Sequence, residues 1–100
     1  MKIDSVDNLI EFHPVIHVVL IPPKDSFYCR PDDAMFYLWT SEEKANYFLR
    51  ANNLPPGEVV VCDTERTVEG MKKLSFKRIV LDFVEEKTGS KYPNYCVIEI

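Results

Sequence analysis

Thr40-Ser41-Glu42-Glu43 stands between two different patterns. Before it, Ala34 to Trp39 is an extended, aromatic run; after it, Ala45, Phe48, Leu49 and Asn52 fall on one face of a helix. The Thr40 hydroxyl can cap that helix, and Glu43, three residues on, can reach back in a capping box. Glu42 and Glu43 also suit the positive end of the helix dipole. Asn52-Asn53 with Pro55-Pro56-Gly57 ends the pattern after about three turns at roughly 3.6 residues each. A strand running straight into a helix is therefore predicted here.

Downstream, Val59-Val60-Val61-Cys62 is an unbroken apolar run, the pattern of an interior strand covered on both faces. Asp63 or Thr64 can cap a second helix through Leu74 with Val68, Met71 and Leu74 inward, although Gly70 weakens it by ~1 kcal/mol relative to Ala. Arg78 to Phe83 is a third apolar strand. Strand, helix, strand, helix, strand implies two right-handed crossovers and three parallel strands. A polar turn at Lys87-Thr88-Gly89-Ser90-Lys91 should then return Tyr95 to Ile100 antiparallel to Arg78 to Phe83.

Upstream, Val15 to Ile21 is rich in β-branched residues, too short for a good helix and closed by Pro22-Pro23, so a central strand is expected. Lys24-Asp25-Ser26 turns the chain, Phe27 to Arg30 extends it antiparallel to that strand, and Pro31-Asp32-Asp33 suits a tight turn. Asp4 or Ser5 can cap a short first helix that turns Leu9 and Ile10 inward. The expected architecture is one α/β domain over residues 1–100, with α+β as the alternative class. It has a single mixed sheet of five to six strands, two main helices and a C-terminal β-hairpin.

The 100 residues are 46% hydrophobic and 28% charged, which excludes a disordered tail, a collagen or a coiled coil. With a net charge of −4 and no gathering of basic residues, nucleic acid is not an expected partner. The apolar stretch Pro14 to Pro23 is about half a membrane span, and Met1 to Glu11 is too polar for a signal peptide, so no membrane partner is expected. Cys29, Cys62 and Cys96 lie far apart in strand-like runs, as buried hydrophobes of a reducing cytoplasm do.

Four groups of residues could carry chemistry or binding. His13 and His17 have the i, i+4 spacing of helical metal ligands, but on a strand their Cα atoms are ~13 Å apart, too far for one metal. The expectation is one His at the strand entrance, the other hydrogen-bonded within the sheet, and no metal or cofactor. Cys62-Asp63-Thr64-Glu65-Arg66 places a thiol before a helix N-terminus and near an arginine, which could serve a thiol-dependent enzyme acting on an oxyanion through Cys62, Asp63 and Arg66. Cysteine-dependent phosphatases and arsenate reductases separate the two residues by five, whereas here three intervene and two are acidic. A buried structural Cys62 beside an Asp63 cap is the simpler reading. Asp32, Asp33, Glu42 and Glu43 are accounted for by turns and by the helix dipole. Strand alternation sends Phe36 one way and Tyr37 with Trp39 the other, so Tyr28, Tyr37 and Trp39, if left exposed, would form a protein contact patch. The alternative is that helices cover both faces and bury all three.

Leu38-Trp39-Thr40-Ser41-Glu42-Glu43-Lys44-Ala45, followed by Tyr47-Phe48-Leu49, resembles a segment of the SseB-like N-terminal domain and related small bacterial families. There too a strand delivers an aromatic into Thr-Ser and an acidic helix start. The similarity extends over roughly residues 14–83 and departs afterwards, where this chain adds a hairpin. It implies an accessory or interaction module and carries over no catalytic residues. The expected function is a small, non-catalytic protein-interaction domain, with a homodimer through an edge strand as one form. The alternatives are the thiol enzyme and an acidic inhibitor or immunity-type protein that binds a basic partner.

Overall fold

The computed structural model of the chain describes residues 3–21, 26–54, 57–85 and 94–100. The Ser5 hydroxyl accepts from the Asn8 N–H at 3.2 Å and opens helix α1 (Val6–Phe12), which buries Leu9. The chain then enters β1 (Val15–Ile21), and β2 (Ser26–Phe27) returns antiparallel to it, as expected. After β3 (Cys29–Arg30), a 3-10 turn at Pro31–Asp33 leads into β4 (Met35–Leu38). Helix α2 (Glu42–Ala51), β5 (Glu58–Asp63), helix α3 (Thr64–Lys73), β6 (Arg78–Leu81) and β7 (Cys96–Glu99) complete the order. The turn expected at residues 87–91 and the proline stops at 22–23 and 55–56 lie outside the described residues.

The strands form two sheets rather than one, giving an α+β architecture: β2-β1-β5, and β3-β4-β6-β7. One antiparallel bridge joins them. The His17 N–H donates to the Trp39 carbonyl at 2.8 Å and the Trp39 N–H to the His17 carbonyl at 3.0 Å. At the far end of β1 the chain from Ser26 to Arg30 wedges between the sheets, pairing first with β1 and then with β4. Across the bridge the strands follow the order β5-β1-β4-β6-β7. Because β1 is antiparallel to both β4 and β5, the strands β4, β5 and β6 share one direction, as the crossovers require, yet only β4 and β6 are parallel neighbours.

β5 is therefore not the interior strand its valines suggest. Among the described residues it ends its sheet, none of its six residues is fully buried, and Val61 is 59% exposed. β1 takes the central place, because Ile16 and Val18 serve one face and Val19 the other. β7 pairs antiparallel with β6, as expected of the C-terminal strand.

Strand alternation divides the core into two halves. Phe36 and Leu38 join Leu9, Val68 and Met71 beneath α1 and α3, while Tyr37 and Trp39 join Ala45, Phe48 and Leu49 beneath α2. Leu74 was expected inward but is 64% exposed: α3 stops at Lys73, Leu74 is its C-cap, and Phe76 fills the core position by packing 5.6 Å from Phe36. The α2 cap also moves by one residue, to Ser41, whose hydroxyl accepts from the Lys44 N–H at 3.2 Å.

Gly57 stands where β5 begins, and a Cβ there would meet the Leu20 carbonyl oxygen at 2.6 Å. Only a bare backbone allows β5 to start this close to β1. Gly57→Ala is expected to destabilise the fold by about 1–3 kcal/mol through overpacking, read from the urea midpoint.

Candidate functional site

β4 and β6 run parallel, so their carboxyl ends lie side by side, the usual place for ligands in α/β sheets. There Asp82 follows β6 with φ 65°, a left-handed conformation that Asp tolerates better than most side-chained residues. Its carboxylate reaches across to the turn between β4 and α2. It accepts from the Thr40 N–H at 2.8 Å, from the Thr40 hydroxyl at 3.0 and 2.8 Å, and from the Lys44 ammonium at 3.2 Å. Thr40 is thus drawn away from the capping position, which Ser41 takes instead. An open pocket of about 380 Å³ lies beside this cluster, with Lys44, Asp82, Asn94, Tyr95 and Cys96 among its walls.

The arrangement latches β6 to the start of α2. Both carboxylate oxygens accept from Thr40, and the Lys44 ammonium pairs with Asp82 at 3.2 Å, so the cluster's polar groups are engaged with one another. By its apolar pattern the run Arg78 to Phe83 places Asp82 inside a strand, whereas β6 ends at Leu81. The signal was an acid closing the apolar run Ile79-Val80-Leu81, but its meaning requires the parallel pairing that brings Thr40 beside it.

The three aromatics proposed as a contact patch do not form one. Trp39 is fully buried and Tyr37 is 5% exposed, while Tyr28 is half-buried with its ring 5.0 Å from Tyr37 and 4.9 Å from Phe48. Burying a large apolar side chain is worth about 1.5–3 kcal/mol. Trp39 leaves no polar group unsatisfied in return, since its Nε1–H donates to the Phe83 carbonyl at 2.7 Å. Tyr37 and Trp39 are core packing beneath α2, and of the three rings only Tyr28 keeps partial exposure.

Cys62, Asp63 and Arg66 are adjacent along the chain but do not converge. Cys62 packs partly buried against the α1/α3 half of the core. Asp63 is the N-cap of α3, accepting from the Arg66 N–H at 2.9 Å, and Thr64 donates its hydroxyl to the His13 carbonyl. The Arg66 side chain is exposed and makes no ion pair among the described residues. Partial burial pushes the Cys29 thiol above its ordinary value. His17 pairs through its backbone as expected, but its ring Nδ1 is buried with no hydrogen-bond partner among the described residues. The described residues contain no group of three or more His, Cys, Asp or Glu arranged to hold a metal. No helix among them is long and apolar enough to cross a membrane.

What the described surface does offer is a strand edge. The Thr64 N–H donates to the Pro14 carbonyl at 3.0 Å, which sets the alternation of the β1–β5 ladder. Glu58, Val60 and Cys62 turn their backbone groups toward β1, so Val59 and Val61 turn theirs outward, while the Asp63 carbonyl accepts from the Thr67 hydroxyl at 2.7 Å. Exposed Val15 and Val61 lie on the same face of this two-strand margin.

Comparisons with protein-family models, with curated proteins and with solved structures find no match to this chain.

Two outcomes test the site. Asp82→Ala should cost about 2 kcal/mol, because it strands the Thr40 N–H and hydroxyl, whereas Lys44→Met should cost under about 1 kcal/mol for a pair that water still reaches. Denaturant titration of both variants reads the difference. Iodoacetamide should alkylate Cys62 no faster than a thiol in an unfolded peptide; fast modification blocked by phosphate would restore the thiol-enzyme reading.

Proposed function

We propose that this chain is a non-catalytic protein-interaction domain that binds by accepting an additional strand along β5. The observation that carries this reading is the outward row of N–H and C=O groups at Val59 and Val61, bordered by exposed Val15 and Val61; beyond them the Asp63 carbonyl is already taken by the Thr67 hydroxyl at 2.7 Å. An unpaired edge with apolar side chains is a template for strand addition. The edge lacks the usual protections within β5: no Lys and no Pro occurs from Glu58 to Asp63, and acids stand only at its two ends. The resemblance of Leu38 to Leu49 to the SseB-like N-terminal domain agrees with an accessory role. We assign the protein to a reducing cytoplasm, in keeping with Cys29, Cys62 and Cys96 forming no disulfide.

Val61→Lys puts a charge on the exposed face of the edge without touching the core. It should leave the melting temperature within about 2 °C of the wild type while abolishing association, whether with itself or with proteins bound from the native cell. Val97→Lys, on the opposite end strand, should leave association intact. Association that survives Val61→Lys would overturn the reading.

A further inference from the structure

We propose that the strand completing β5 is the β5 of a second copy, paired antiparallel about a two-fold axis at Val60. The proposal rests on the reading of β5 as a docking edge and names its occupant. In an isologous contact the same strand must complement itself, and β5 does so best in the register centred on Val60. With Val60 opposite the partner's Val60, Val59 faces the partner's Val61, and Val61 the partner's Val59. Both are outward-turned residues, so each such pair can exchange two backbone hydrogen bonds. Glu58 then faces the partner's Cys62, and Asp63 faces the partner's Gly57, so no acid stands opposite an acid.

The adjacent even-numbered registers are poorer. A shift that sets Val61 opposite the partner's Val61 keeps that apolar pair but places Asp63 against the partner's Val59 and Glu58 against the partner's Thr64, so Val59 loses its apolar partner. The opposite shift, centred on Val59, moves Val61 against the partner's Gly57 and leaves it without an apolar neighbour. In the favoured register the 59% exposed Val61 gains an apolar partner, and β5 becomes the centre of a sheet that runs through both chains.

Charge separates this occupant from a basic partner. Two chains of net charge −4 repel, so raising salt from about 50 to about 500 mM should tighten a dimer, whereas it should weaken binding to a cationic protein.

The register can be tested covalently. Val60 and its symmetry mate form a non-hydrogen-bonded pair, with Cα atoms about 4.5 Å apart, within disulfide range. Val60→Cys should therefore cross-link to itself under a glutathione redox buffer. The wild-type chain, whose Cys62 faces the partner's Glu58, should not. Sedimentation equilibrium of the wild-type protein should show a monomer–dimer equilibrium that Val61→Lys shifts at least about tenfold toward monomer, for a small strand-mediated contact. A wild-type chain that stays monomeric at all concentrations, while Val61→Lys still loses a captured partner, would overturn the second copy and leave β5 as the docking edge. A dimer indifferent to Val61→Lys and not cross-linked through Val60→Cys would overturn both.

Discussion

Two backbone hydrogen bonds, exchanged between His17 and Trp39, hold the two sheets together. With β2 only two residues long, the first sheet is little more than the β1–β5 ribbon, which would be marginal as a separate unit. The bridge aligns β1 with β4 and lets each half of the core continue from one sheet into the other. Beneath α2, Val19 from the first sheet meets Tyr37, Trp39 and Val80 from the second. On the opposite face, Ile16 and Val18 meet Phe36, Leu38 and Ile79. Phe48 seals the join, its ring 4.8 Å from Trp39 and 4.9 Å from Tyr28.

The consequences of this join reach both the latch and the edge. Trp39 is followed at once by Thr40 and Ser41, so the residue that fixes the bridge also fixes where α2 begins and where Asp82 finds its donors. On the other side, β1 uses one flank for β2 and Trp39 and the other for β5. β5 is then the outer strand of its sheet, and its second flank has no strand beside it among the described residues. The chemistry of the molecule follows from the same arrangement. Tyr37 and Trp39 are spent on packing, Cys62 is partly buried against the core, and the outer flank of β5 presents backbone groups beside exposed Val61.

Much of this fold was legible because periodicity is local. The helical face Ala45, Phe48, Leu49 and the alternation of Phe36 against Tyr37 and Trp39 needed no knowledge of neighbours, and the Asp63 cap and the C-terminal antiparallel strand were equally plain. What failed depended on partners distant in sequence. Three valines in a row look the same in a central strand and at an edge, so the place of β5 was not readable until β1 was seen between β5 and β4. Thr40 and Ser41 are both good caps, and only Asp82, 42 residues away from Thr40, decides between them. Trp39 beside Tyr37 suggested a patch because nothing local announces the Phe83 carbonyl that satisfies the indole. An edge strand was foreseen as a means of association, but which strand would lie at an edge was not readable from the residues alone.

Residue-resolved amide hydrogen exchange on dilute protein tests the central claim most directly, since it reads the join and the open edge in one experiment. The account predicts that the His17 and Trp39 amides exchange only through global unfolding, that Val60 and Cys62 are protected by β1, and that Val59 and Val61 exchange rapidly. Fast exchange at His17 and Trp39, or equal protection along the whole of β5, would contradict it.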